Sequence, residues 1–314
     1  MTMHVREIAL AAALAALGAS GAQADFPERT ITLISPFNAG GGNDTVARLL
    51  ASELEKELDT NVVVKNSTGA GGTIGAAEAA NARPDGHTLG HLAIGPVTTQ
   101  PHLRELTYDI DSWAPVCMTY QSPVVLTVTK DSGIDTVDDL IAQASDGGVV
   151  YGSPGPGSIP HISAFAVANA YGVEFKHLPH SGGAEIAKSM MSGHVDLLSD
   201  VASNVALFDL KPIAALHPER LEGFPDVPTM AELGHPLEFS IWFGLFAPKD
   251  TPDDVVRTLS KACEAATGTD AFAAGMERID SPVAFMPAAE FAAFVASDYE
   301  KNGELLAAAG LQKN

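Results

Sequence analysis

The sequence predicts an α/β fold, and three observations carry that prediction. Short apolar, β-branched runs alternate with segments of helical periodicity, the pattern of mostly parallel strands joined by helices. Three of the strand runs end in glycine-rich turns: 38–44 (NAGGGND), 69–75 (GAGGTIG) and 153–158 (SPGPGS). The chain has 314 residues, more than one compact core usually holds, so two domains are expected.

The elements follow in order. Residues 31–36 read as a strand that ends in the first turn. A helix over 44–58 follows, because Val46, Leu49, Leu50, Leu54 and Leu58 recur on one face. Asp44 stands where it favours the first helical turn or caps it. Strand 62–64, the second turn and an Ala-rich helix over 74–82 come next. Asp85-Gly86 turns the chain into strand 87–94. Val124 to Thr129 is a β-branched strand run. Thr136 and Asp139 have the spacing of a capping box opening helix 137–144. Strand 149–151, helix 161–170, strand 173–177, helix 184–191 and strand 195–198 repeat the alternation. Gly193 is placed to stop a helix. Strand 213–216, a Pro-rich stretch at 224–228, strand 239–247 and helices 252–266 and 288–308 complete the chain.

Residues 1–24 read as a secretory leader. Arg6 lies in a short basic region, 8–19 is apolar, and Ala22-Gln23-Ala24 fits a cleavage site. The apolar run is too short to span a bilayer, so the mature chain is expected to be soluble and exported. Lys and Arg total 18 against 39 Asp and Glu, a net charge of −21. That balance disfavours nucleic acid and anionic membranes, which need a basic footprint. The two cysteines, Cys117 and Cys263, leave two readings open in an exported chain: one disulfide, or two buried thiols.

The glycine turns carry the functional signal. Glycine lets backbone N–H groups approach a ligand, and a helix start presents unpaired donors at the positive end of its dipole. Such turns suit a small anion, above all a carboxylate. None of the three contains Lys or Arg, so an anion held there is held by neutral donors. The motif at 69–74 is not a dinucleotide fingerprint, because Ile74 stands where the last glycine belongs. The turn ending at Ser158 has P-loop glycine spacing without the phosphate-binding lysine. No nucleophile elbow or zinc-binding HExxH motif occurs. The pairs His87/His91 and His177/His180 lack the further ligands a metal site needs. No cofactor and no metal are expected.

Read together, the turns and their flanks resemble the substrate-binding proteins of tripartite tricarboxylate transporters, the Bug-type receptors. Residues 31–50 (ITLISPFNAGGGNDTVARLL) resemble the family's opening strand, loop and helix. The segments 66–75, Pro84-Asp85-Gly86, 151–161 (YGSPGPGSIPH), Asp226-Val227-Pro228-Thr229 and Trp242-Phe243-Gly244 resemble later signatures, in the family's order. The resemblance implies a two-lobed periplasmic-binding-protein fold of type II-like architecture, each lobe a mostly parallel sheet flanked by helices. Lobe 1 would be 25–120 plus 240–314, and lobe 2 would be 121–239. It implies capture of a small organic carboxylate by lobe closure, with delivery to large and small membrane permease subunits. It also implies no catalysis. Presentation to a signalling sensor is the alternative role, and a hydrolase on the same scaffold would have to draw on Ser158, His161 and Asp200.

Position by position, the resemblance places ligand contacts at Phe37, Ala39, Gly40, Gly41, Thr73, Ser153, Gly157, Ser158, His161 and Asp200. The chain departs from the family at several points. Ala93 stands where a hydroxyl is frequent, Thr73 where Asn is common, and Leu178-Pro179-His180-Ser181-Gly182 lacks an aromatic and a lysine. These departures point toward a ligand other than a standard dicarboxylate.

Overall fold

The structure, a computed structural model, describes residues 26–279 and 281–308. The expected leader, residues 1–24, lies outside the described residues. Ten strands among the described residues form one sheet, with its main path in the order 62–66, 31–35, 88–93, 240–248, 113–128, 197–201, 149–153 and 175–179.

The first part of the chain alternates as expected. Strand β1 (Ile31–Ser35) leads to α1 (Gly42–Leu58), β2 (Val62–Asn66), α2 (Thr73–Ala80) and β3 (Thr88–Ala93). β1 pairs with β2 and β3 in parallel. On α1, Val46, Leu50 and Leu54 are fully buried, and Leu49 and Leu58 pack against the same core. The apolar stripe thus faces the sheet, as its spacing requires. A π-helical turn (Gly95–Thr99) runs into the short α3 (Gln100–Leu103).

Strand β4 (Trp113–Val128) is the spine of the molecule. Its first half pairs antiparallel with β9 (Ser240–Pro248) as far as Pro123↔Ser240. From Val124 onward it pairs with β7 (Leu197–Val201) and β8 (Lys211–Leu216). Between them lie α4 (Val137–Asp146), β5 (Val149–Ser153), α5 (Ile159–Tyr171), β6 (Phe175–Pro179), α6 (Gly183–Met191) and α7 (Ser203–Phe208). β5 pairs in parallel with both β6 and β7. The parallel pairs therefore lie at the two ends of the sheet, and the centre is antiparallel. The sheet is mixed because β4 and β9 run side by side through its middle.

Local chemistry explains several boundaries. Thr136 and Asp139 form the expected reciprocal capping box at the start of α4. Gly193 follows α6 with φ +72°, and its N–H donates to the Met190 carbonyl. The chain closes with α8 (Asp253–Thr267), α9 (Asp270–Glu277), β10 (Val283–Pro287) and α10 (Ala288–Ala308). Cys117 on β4 and Cys263 on α8 form a disulfide across 146 residues of sequence. Both are fully buried, so the bond ties α8 to the spine.

Candidate functional site

The parallel strands place the site. In open α/β sheets, ligands bind beyond the carboxyl ends of the strands, where loops and helix starts gather. Here the segments after β1, β2, β3, β5, β6 and β7 meet in one cleft. It is lined by Phe37 and Gly41–Asn43 after β1, Gly71 after β2, and Ala93–Pro96 at the end of β3. Pro154 and Ser158–Pro160 after β5, Gly183 after β6, and Asp200, Val201 and Asn204 around the end of β7 complete the far wall. Ile241 and Phe243 of β9 form the floor. About 550 Å³ of space free of protein atoms lies between them, open mouth included.

Three helix starts face this space. α1 begins at Gly42 behind the cap Gly41, α5 at Ile159 behind Ser158, and α6 at Gly183 behind Gly182. A Cβ added at Gly41 would lie 3.7 Å from the backbone nitrogens of Gly183 and Ala184. The starts of α1 and α6 thus approach each other across the cleft. No Lys or Arg is among the lining residues. Neutral N–H donors and helix dipoles are therefore its source of positive potential.

The walls also touch at their rims. Thr99 donates to the Gly157 carbonyl at 2.7 Å and Gln100 to the Pro156 carbonyl at 2.8 Å. The Asn38 N–H reaches the Ser181 carbonyl at 3.4 Å.

Of the residues placed here by resemblance, Phe37, Gly41, Ser158 and Asp200 line the cleft. The other six lie in its turns or at the ends of the strands and helices that flank them. Gly40 gives its N–H to Asp44 at 2.9 Å, and the exposed Ala39 lies beside it. Thr73 is buried and donates to the Ala70 carbonyl, while Gly71 carries the second turn to the cleft. Ser153 accepts from Gly155 N–H and contacts His177 Nε2 at 2.7 Å. The Gly157 N–H donates to His161 Nδ1.

Asp200 keeps some surface exposure as a residue, but its carboxylate is enclosed by protein. Burial pushes it up to about 7, against a hydrogen bond from the Val201 N–H and one from Asn204. Among the described residues, the Asn204 Oδ1 is buried without a partner.

Sequence reasoning missed Asn43, Asn204, Gly95 and Gly183. Asn43 lines the cleft and heads a buried chain. Ser35 donates to its Oδ1, its amide reaches His91 Nδ1 at 3.3 Å, and His91 Nε2 meets Thr119 at 3.0 Å. Burial lowers His91 to about 3, so it stays neutral. The only early signal for Asn43 was its position in the first glycine turn. Asn204 had no signal beyond its nearness to Asp200.

Ser158 and His161 do not form a nucleophile–base pair. The Ser158 hydroxyl donates to the Gly155 carbonyl and receives the His161 backbone N–H as a helix cap. Among the described residues, no group of three or more His, Cys, Asp or Glu side chains is placed to hold a metal.

A mixed sheet with strand ends converging on one cleft is an α/β ligand-binding architecture. The sequence model of the tripartite tricarboxylate transporter family receptor, TctC, matches residues 46–311, and the chain belongs to that family. A protein encoded in the gbd 5′ region of Cupriavidus necator is 33% identical over 97% of this chain and 96% of its own. BugT of Bordetella pertussis is 32% identical over 87% and 88%. Among solved structures, the periplasmic binding protein BugD superposes with TM-score 0.87 at 29% identity, covering 92% of this chain and all of its own. MatC of Rhodopseudomonas palustris, solved with malate, gives 0.83 at 28% identity over 90% of this chain and all of its own. R. palustris Rpa4515, solved with adipate, gives 0.85 at 28% over 92% and 99%. Of these, BugD is a periplasmic binding protein, and the family is one of transporter receptors.

Proposed function

We propose that this protein is a periplasmic receptor that captures a small organic carboxylate in the cleft and delivers it to a tripartite-type membrane permease. The observation that carries the reading is the convergence of three helix starts on a cleft with no lining Lys or Arg. Backbone donors desolvate a carboxylate without burying a counter-charge, so binding stays reversible. Malate and adipate in the related structures support the ligand class.

Residues 25–120 with 240–314 act as one lobe and 121–239 as the other. Only two adjacent strands cross between them, β4 near Pro123 and β9 near Ser240. A ligand touching both walls binds the closed form better than the open one and shifts the population toward closure. The permease subunits then read the closed, loaded receptor. Among the described residues, no helix is long and apolar enough to cross a membrane.

The test combines a thermal-shift screen of organic acids with solution scattering. A carboxylate at about 100 times its Kd adds roughly 2.7 kcal/mol of stability. The same ligand should shrink the radius of gyration. A scattering curve unchanged at saturation would remove the closure mechanism.

A further inference from the structure

Resting on the reading that the cleft takes a carboxylate, we infer that its ligand is a monocarboxylic acid with an apolar body and a hydroxyl or amino donor, the donor facing Asp200 and Asn204.

The cleft has two chemically different parts. Donors come from the starts of α1, α5 and α6. Acceptors gather at the end of β7. Asp200 lines the cleft there, and its carboxylate accepts the Val201 N–H and a hydrogen bond from Asn204. Beside it, Asn204 is 2% exposed and its Oδ1 has no partner. That oxygen lies 3.6 Å from where a Cβ on Gly42, and one on Gly183, would stand, so it packs beside the starts of α1 and α6. An unpaired buried acceptor is unfavourable, and a ligand donor removes that penalty.

A second ligand carboxylate finds nothing complementary in this part. It would meet the Asp200 carboxylate and a carbonyl-type oxygen in a partly dehydrated site, with no cation among the lining residues. Like charges in such surroundings repel strongly. Apart from Asn43 and Ser158, the remaining walls are mostly hydrocarbon: Phe37, Ile94, Pro96, Ile159, Ile241 and Phe243. Such walls suit an aromatic or branched body and offer nothing to a polar chain.

A matched panel tests this by calorimetry at pH 8, where Asp200 is ionised. Mandelate and 2-hydroxy-3-methylbutanoate should bind at least tenfold tighter than phenylacetate and 3-methylbutanoate, which lack the hydroxyl. They should also bind tighter than succinate, malate and adipate. In Asp200→Ala the hydroxyl preference should fall to within about threefold. Asn204→Ala should narrow the preference in the same direction, and it serves if Asp200→Ala does not fold. Tightest binding by a dicarboxylate, or a hydroxyl preference that survives both substitutions, would overturn the proposal. Mandelamide binding as tightly as mandelate would overturn the carboxylate reading itself, a separate result.

Discussion

The first and third glycine turns do the same job with different chemistry. Each holds a helix start rigidly at the cleft. In the first, the lock is ionic. Asp44 is 3% exposed and takes both arms of Arg48 at 2.9 Å. It also takes the Gly40 N–H and Asn66. Burial works against the charged form, but these partners together hold the carboxyl below its usual range. In the third turn the lock is neutral. Ser153 and Ser158 bracket Gly155, and His161 accepts the Gly157 N–H. The His161 and His177 rings lie 4.6 Å apart. An ionic lock tolerates acid until its carboxylate protonates, whereas an imidazole lock fails as soon as the ring gains a proton. The comparison shows that two turns of similar composition need not share a pH range.

Blocking the first turn should have the largest effect. Gly41 has an ordinary φ of −86° and only van der Waals neighbours 3.7 Å from an added Cβ. Gly41→Val should therefore fold, with a melting temperature within a few degrees of the wild type. Binding of the acid preferred in the panel should fall more than about 100-fold by calorimetry, because the branched side chain stands between the starts of α1 and α6. Retained affinity would move the site elsewhere.

Next in size is Ser153→Ala. Ser153 is fully buried, and its loss strands the Gly155 N–H and the His177 Nε2. The expected cost is about 1–3 kcal/mol in urea unfolding. Arg48→Ala in the first turn should cost less, about 1 kcal/mol. Arg48 is half exposed, and Asp44 keeps Gly40 and Asn66. The reverse order would mean that the ionic lock is the stronger one.

The pH dependence separates the turns further. Burial lowers His161, and burial together with His161 and His180 lowers His177 to about 4. Their neutral forms stabilise the fold fully above the ordinary value near 6.5. That stability is lost as pH falls through the depressed folded values. Protection of the Gly155 and Gly157 amides against exchange should fall as pH drops below about 6.5, while protection at Gly40 persists until Asp44 protonates below its ordinary 3.8. His161→Gln should remove part of the third turn's response. Asp200 has the opposite sign. Its folded value of about 7 lies above the ordinary 3.8, so its contribution is complete in acid and lost as pH rises through 7.

Salt should produce the smallest effect. Raising NaCl from 0.1 to 1 M screens the exposed side of Arg48. It should shrink the Arg48→Ala cost by a few tenths of a kcal/mol and leave the Ser153→Ala cost unchanged.

Much of this protein was legible in the sequence because the relevant physics is local. The stripe Val46, Leu50, Leu54 specified α1 and its buried face. Thr136 and Asp139 specified the start of α4, and Gly193 the end of α6. The first and third glycine turns showed where backbone donors gather, because glycine and helix-start chemistry act within a few residues. The first half of β4 was not legible. Pro115, Thr119, Gln121 and Pro123 break its alternation, and it persists as a strand through pairing with β9, whose register shifts near Pro115. α9 and β10 escaped for the same reason: their pattern is weak and their support is distant. Within the site, neighbours in space had no neighbours in sequence. Gly42 meets Asn204, Gly41 meets Gly183, and Asn43 reaches His91. The Cys117–Cys263 bond depended on a distance that a sequence separation of 146 hides. The sequence by itself thus determined the α/β alternation, the helix caps and the chemistry of the turns. Only the tertiary structure decided which turns face one another and where the unpaired acceptor of Asn204 points, because both depend on how the sheet brings distant strand ends together.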